Sequence, residues 1–105
     1  MGWRVRWTTP AWVDVEEQAR FIARDSPRYA IVLQREAQGA AKSLRQFARR
    51  GRVVPEREDD RLRELLVGNS YRLIYRILPN DEVHIIAFVN SARDLDAFLK
   101  REGRE

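Results

Sequence analysis

The spacing of apolar residues changes once along this chain, and that change restricts the folds open to it. From Trp12 to Phe47 apolar side chains recur every three or four positions, the period of a helix with one buried stripe. From Leu62 to Asn90 they alternate or run together, the period of strands. Helices first and strands afterwards give an α+β domain, with the helices laid on one face of a mainly antiparallel sheet. At 105 residues the chain makes one domain, residues 1–105, large enough to hold a core without covalent staples. No internal repeat or linker divides it.

Local signals set the expected boundaries. Trp3, Val5 and Trp7 alternate with Arg4 and Arg6, which reads as a half-buried first strand. Thr9 as N-cap and Pro10 at the first helical position open a helix, whose stripe is Trp12, Val15, Ala19 and Ile22. Ser26 and Pro27 repeat that start. The second helix is expected to run to about Ala48, with Ala30, Leu33, Ala37, Ala40 or Ala41, Leu44 and Phe47 along one side. Two helices joined by so short a break form a hairpin. Periodicity stops from Arg49 to Asp60, a basic loop. Strands are expected over Leu62–Val67, Tyr71–Leu78 and Glu82–Asn90, for a sheet of about four strands with the first. The third of these is apolar on both parities, so it belongs inside the sheet, covered on both faces. A short last helix fits Asp94 to Arg101, with Asp94 as its cap.

Composition removes several chemistries. With no cysteine there is no disulfide, thiolate metal site or cysteine nucleophile, a usage that fits a reducing cytoplasm. One histidine, His84, makes no His-rich metal site, and no metal or cofactor is expected. No apolar run approaches membrane-spanning length, and Met1 to Trp7 lacks the apolar stretch of a signal peptide. Ser91 has no nearby His, and no glycine-rich phosphate loop exists.

What remains is arginine: 18 of the 20 basic residues. Lys42, Arg45, Arg49, Arg50, Arg52 and Arg57 stand against one acid, Glu56, in a single window. That window carries +5, more than the +4 of the whole chain, and suits nucleic acid or an acidic protein. The other reading is a solvated helix end favoured by its dipole. On the strand Tyr71–Ile77, alternation puts Arg72, Ile74 and Arg76 on one face. Two guanidinium groups there suit a ligand or partner; alternatively they pair with Glu64 across the hairpin.

Taken together, several segments resemble the RelE/ParE superfamily, the toxin halves of bacterial type II toxin–antitoxin systems, with the ParE branch the nearer. They are Trp12 and the first helix, Asp25-Ser26-Pro27, Leu44-Arg45-Gln46-Phe47, Gly51 to Glu56, Arg63 to Gly68, Tyr71 to Ile77, and Ser91 to Leu95. The resemblance implies a helical hairpin on an antiparallel sheet and a heteromeric complex with a cognate antitoxin. The antitoxin is expected to use apolar area left open by the hairpin and the sheet edge, and to meet basic residues with an acidic segment that folds on binding. ParE-type relatives poison DNA gyrase by direct binding; RelE-type relatives cut mRNA on the ribosome. Under the second activity, Arg72 matches a strand Arg used at the phosphate, Arg93 resembles the Arg after the last strand, and Glu56 falls near a carboxylate base. The chain departs from that pattern. Asn90 stands where ParE relatives often carry His, no Tyr or His follows Arg93, and the nuclease Lys pair has no counterpart. Few proton-transfer groups remain, which favours a binding toxin. Its expected contact residues are Arg49, Arg50, Arg52, Arg57, Arg72 and Arg76. A third reading is a stabilising or DNA-binding partner that has lost toxicity.

Overall fold

The computed structural model of the chain describes residues 2–105. Its elements are β1 (Arg4–Trp7), α1 (Thr9–Ala23), α2 (Pro27–Ser43), β2 (Arg52–Val53), β3 (Leu62–Val67), β4 (Tyr71–Leu78), β5 (Glu82–Asn90) and α3 (Leu95–Glu102). The α+β expectation holds, with a five-stranded sheet in the order β1-β5-β4-β3-β2. All neighbours are antiparallel except β1 and β5, which run parallel. The fifth strand is β2, two residues inside the segment expected to be loop; it pairs Arg52 with Glu64 and Val53 with Arg63. So short a strand has no periodicity for a sequence to display.

The sheet separates two apolar clusters. On one face Val83, Ile85 and Phe88 of β5 and Tyr71, Leu73, Tyr75 and Ile77 of β4 pack under Ala11, Val15, Leu33 and Ala37 of the helices. On the other, Ile74, Ala87 and Val89 pack with Val54, Leu62 and the α3 residues Leu95, Phe98 and Leu99. Neither the hairpin nor α3 can bury its stripe alone, and the sheet serves both.

Several local expectations shift. The cap of α1 is Thr8, one residue earlier than expected: its Oγ1 accepts the Ala11 N–H at 3.3 Å and donates to the Ile85 carbonyl at 2.8 Å. Thr8 still belongs to the sheet through its own N–H on Ile85, so strand and helix share one junction residue. Ser26 and Asp94 cap α2 and α3 as expected. Helix α2 stops at Ser43 rather than near Ala48. The Trp3 N–H takes the Arg45 carbonyl at 2.7 Å, an acceptor a continuing helix would need. Phe47 is consequently 65% exposed instead of lying on the stripe. In α1 the buried positions are Ala11, Asp14, Val15 and Ala19; Trp12 is only half-buried and stands edge-on to Trp7.

Strand β5 is interior, as expected, but does not keep one parity. The β4 partners step from Ile74↔Ala87 to Tyr75↔Ile85, which leaves Ile86 as an extra residue in a bulge. Val83 and Ile85 therefore face the hairpin, whereas Ala87 and Val89 face α3. Simple alternation would have put all four together.

Candidate functional site

The outer face of β3 and β4 holds a four-member charge chain. Arg72 on β4 is 5% exposed and Glu64 on β3 is 2% exposed. Arg72 Nε donates to Glu64 Oε1 at 2.7 Å, while Arg52 Nε on β2 donates to Glu64 Oε2 at 2.7 Å. The outer edge of the Arg72 guanidinium donates to Glu56, Nη1 to Oε2 at 2.9 Å and Nη2 to Oε1 at 2.7 Å. Two cations and two anions thus balance. Each inner charge is bonded on more than one side, the condition under which buried ion pairs persist.

Glu56 is positioned by a β-turn. The Arg57 N–H closes onto the Val54 carbonyl at 3.0 Å, with Pro55 at the second turn position, where its fixed φ suits. Hydrogen bonding to Arg72 holds the Glu56 carboxyl below its ordinary range, burial opposing. The same bonds raise Arg72, again against burial. Behind this chain, Tyr75 Oη donates to the Ala48 carbonyl at 2.7 Å and accepts the Gly51 N–H at 2.9 Å. A Cβ at Gly51 would lie 2.5 Å from the Glu64 carbonyl oxygen and 2.6 Å from Tyr75 Oη, so only glycine fits there.

The expected site residues fall into separate groups. Glu56, Arg72 and Arg52 come together. Arg49 pairs with Asp60 at 2.6 Å, and Arg57 pairs with Asp96 at 2.7 Å and Glu105 at 2.6 Å. Arg76 meets Asp59 at 3.5 Å and the Glu105 carbonyl at 2.9 Å. Arg50 donates to Ser43 Oγ. Much of the +5 window is therefore neutralised by acids outside it. Arg93 stands apart, its guanidinium 4.5 Å from the centre of the Phe98 ring; no hydrogen bond or ion pair links it to Arg72 or Glu56 among the described residues. Asp96, beside the Asp94 cap, is spent on Arg57 and Lys100.

A second buried pair went unanticipated. Arg104 reaches back to Asp14 on α1, Nη2 to Oδ1 at 3.0 Å, and Asp14 Oδ2 also accepts the Phe88 N–H at 3.0 Å. The one signal for it was an acid beside Val15 on the buried side of an amphipathic helix. Among the described residues no cluster of His, Cys, Asp and Glu could hold a metal ion, and no helix is long and apolar enough to cross a membrane.

Comparison with known proteins gives a consistent outcome. The sequence profile of a family described as ParE toxin of type II toxin-antitoxin system, parDE, matches residues 5–95. No curated protein matches significantly. Among solved structures, a chain of the chromosomal ParDE toxin–antitoxin system from P. aeruginosa superposes with a TM-score of 0.67 at 20% identity, over 84% of this chain and 95% of that one. A chain of the toxin–antitoxin complex RelBE2 from Mycobacterium tuberculosis gives 0.59 at 25% identity, over 86% and 99%.

Proposed function

Because the chain belongs to the ParE toxin family of type II toxin–antitoxin systems, we propose that it arrests growth by binding DNA gyrase directly, and that a cognate antitoxin neutralises it. Both structural relatives come from toxin–antitoxin systems, which supports the antitoxin as partner. One observation favours binding over RNA cleavage: the bidentate lock between Arg72 and Glu56. RNA cleavage by an attacking 2′-hydroxyl needs a base to take its proton and a cation free to meet the phosphate. Here the only carboxylate among the described residues that lies beside Arg72 and open to solvent is engaged by it and held below its ordinary range. Arg72 is itself buried, and Arg93 lies elsewhere. The target-facing residues in this reading are the exposed cations Arg49, Arg50 and Arg52, with Arg57 and Arg76 shaping the loop beside them. A cytoplasmic location and a role in plasmid maintenance follow from the same reading.

Purified gyrase provides the test. At stoichiometric toxin, supercoiling should fall and cleaved DNA–gyrase complexes should accumulate; no effect there sinks the proposal. Primer extension on translated mRNA examines the nuclease alternative. Codon-phased cuts that disappear in Glu56→Gln would make Glu56 and Arg72 catalytic and overturn the binding reading.

A further inference from the structure

Between Ala37 and Pro55 the chain holds five cations and no acid. Acids from elsewhere reach two of them, Asp60 at Arg49 and Glu64 at Arg52. Lys42, Arg45 and Arg50 form no ion pair among the described residues. These three converge. Lys42 and Arg45 line an open groove of 490 Å³ at the end of α2, together with Gly39, Ser43 and Gln46. The Ser43 hydroxyl donates to the Ala40 carbonyl at 2.6 Å and accepts from Arg50 Nη1 at 2.6 Å, which holds the third cation against the groove wall. A helix C-terminus carries only about half a negative charge, too little to balance three.

The next turn of chain carries a bare aromatic ring. Of the four phenylalanines, Phe88 stacks on Tyr71 at 5.1 Å and Phe98 is met by Arg93 and Arg104 at 4.5 and 4.7 Å. Phe21 is met by Arg24 at 5.7 Å. Phe47 has no aromatic or cationic partner across its ring among the described residues, and it is exposed. Its N–H bonds the Ser43 carbonyl at 3.3 Å, which ties it to the groove. The backbone here makes turns and no strand. The Arg45 and Arg50 N–H groups close onto Lys42 and Phe47, and the Arg45 and Ala48 carbonyls accept from the Trp3 N–H and Tyr75 Oη. What this surface offers a partner is side chains: three cations and one ring.

We propose that Phe47, Lys42, Arg45 and Arg50 form a binding site for single-stranded DNA, in which an unpaired base stacks on the Phe47 ring and flanking phosphates meet the cations. A bare ring beside unpaired cations is the combination that holds single strands without reading their sequence. Bases inside a duplex are already stacked on both sides, so the ring selects an unpaired one. An added peptide strand would need an extended edge, which residues 44–51 lack. The choice of DNA over RNA rests on the gyrase reading, since that target brings DNA with it; the site itself does not depend on that reading.

The test uses the whole chain and a fluorescent oligothymidylate of about 12 nucleotides, followed by anisotropy. With three phosphates neutralised, affinity should fall roughly twentyfold between about 50 and 200 mM salt. Lys42→Gln with Arg45→Gln should reduce that fall to roughly threefold. Phe47→Ala should weaken binding about five- to 150-fold with the salt dependence and melting temperature unchanged, and Phe47→Trp should bind at least as well as wild type. Wild-type affinity in Phe47→Ala overturns the proposal. So does tighter binding of duplex DNA, of RNA of equal length, of a polyglutamate peptide or of phosphatidylserine vesicles. Supercoiling separates the inference from the gyrase reading. Phe47→Ala should inhibit gyrase several-fold less well than wild type. A variant that loses the oligonucleotide yet inhibits fully overturns a DNA contact in the gyrase complex and leaves gyrase as target. Oligonucleotide binding by a wild-type chain that does not inhibit gyrase supports the site and removes that target.

Discussion

The guanidinium of Arg72 and the carboxylate of Glu56 meet edge to edge through two hydrogen bonds, on top of the bond that joins Arg72 to buried Glu64. The two acids have unequal consequences. Glu56 is partly in solvent, and Glu56→Gln should cost about 1 kcal/mol or less. Arg72→Ala strands Glu64 in the interior, although Arg52 remains on one side, and should cost roughly 3–5 kcal/mol. Replacing both by Leu should recover much of that loss, since an apolar pair carries no unpaired charge. Urea unfolding of the three variants gives the order.

Acid should weaken the same contact. A carboxyl whose folded pKa is depressed adds stability that is fully present above its unfolded pKa, about 4.3 for Glu, and is lost as pH falls through the folded value. Glu56 is depressed by Arg72, and Asp59, Asp60 and Asp96 are depressed by their own partners. Melting temperature should therefore fall as pH drops below about 4.5. Glu56→Gln should make that fall shallower, whereas an unchanged slope would mean the contact is absent in solution.

Two glycines should respond in opposite senses. Gly51→Ala pushes a methyl group into the Glu64 carbonyl and Tyr75 Oη and should destabilise by roughly 1–3 kcal/mol. Gly39 lies within α2 with open space at its Cβ position, so Gly39→Ala should stabilise by about 0.5–1 kcal/mol. Thermal unfolding of both variants reads the signs.

Tyr75→Phe isolates one hydroxyl. It leaves the Ala48 carbonyl and the Gly51 N–H without their partner, inside a buried site. Loss of about 1–3 kcal/mol is expected for the unsatisfied groups, with the m-value unchanged.

Arg104→Ala tests the pairing of the chain's last residues with α1. Among the described residues Asp14 would keep only the Phe88 N–H, and roughly 3–5 kcal/mol should be lost. The Phe88 amide, beside the β5 bulge, should show the largest rise in hydrogen exchange.

The readable parts of this fold were the local ones. Ser26 and Asp94 mark helix starts by accepting the N–H three positions on, Pro27 marks one by its fixed φ, and the β3–β4–β5 meander follows from period and turn residues. The end of α2 was hidden because its stop signal is the Trp3 N–H, far off in sequence. The Ile86 bulge was hidden because both sides of β5 are apolar, so a parity change leaves no trace. In the charge chain, Arg72 with Glu64 was anticipated as a cross-strand pair. The neutralisation of Arg49, Arg52 and Arg57 was not, since their partners come from residues 60, 64, 96 and 105.

Strand β1 joins the sheet only through β5, with Arg4 opposite Glu82 and Trp7 opposite Ile85. During synthesis β1 emerges well before β5, so it cannot be fixed in the sheet until β5 has followed it out of the tunnel. A chain that stops before β5 therefore leaves β1 unpaired. Without β5, Val5 and Trp7 also lose the strand that seats them against the core under the helical hairpin.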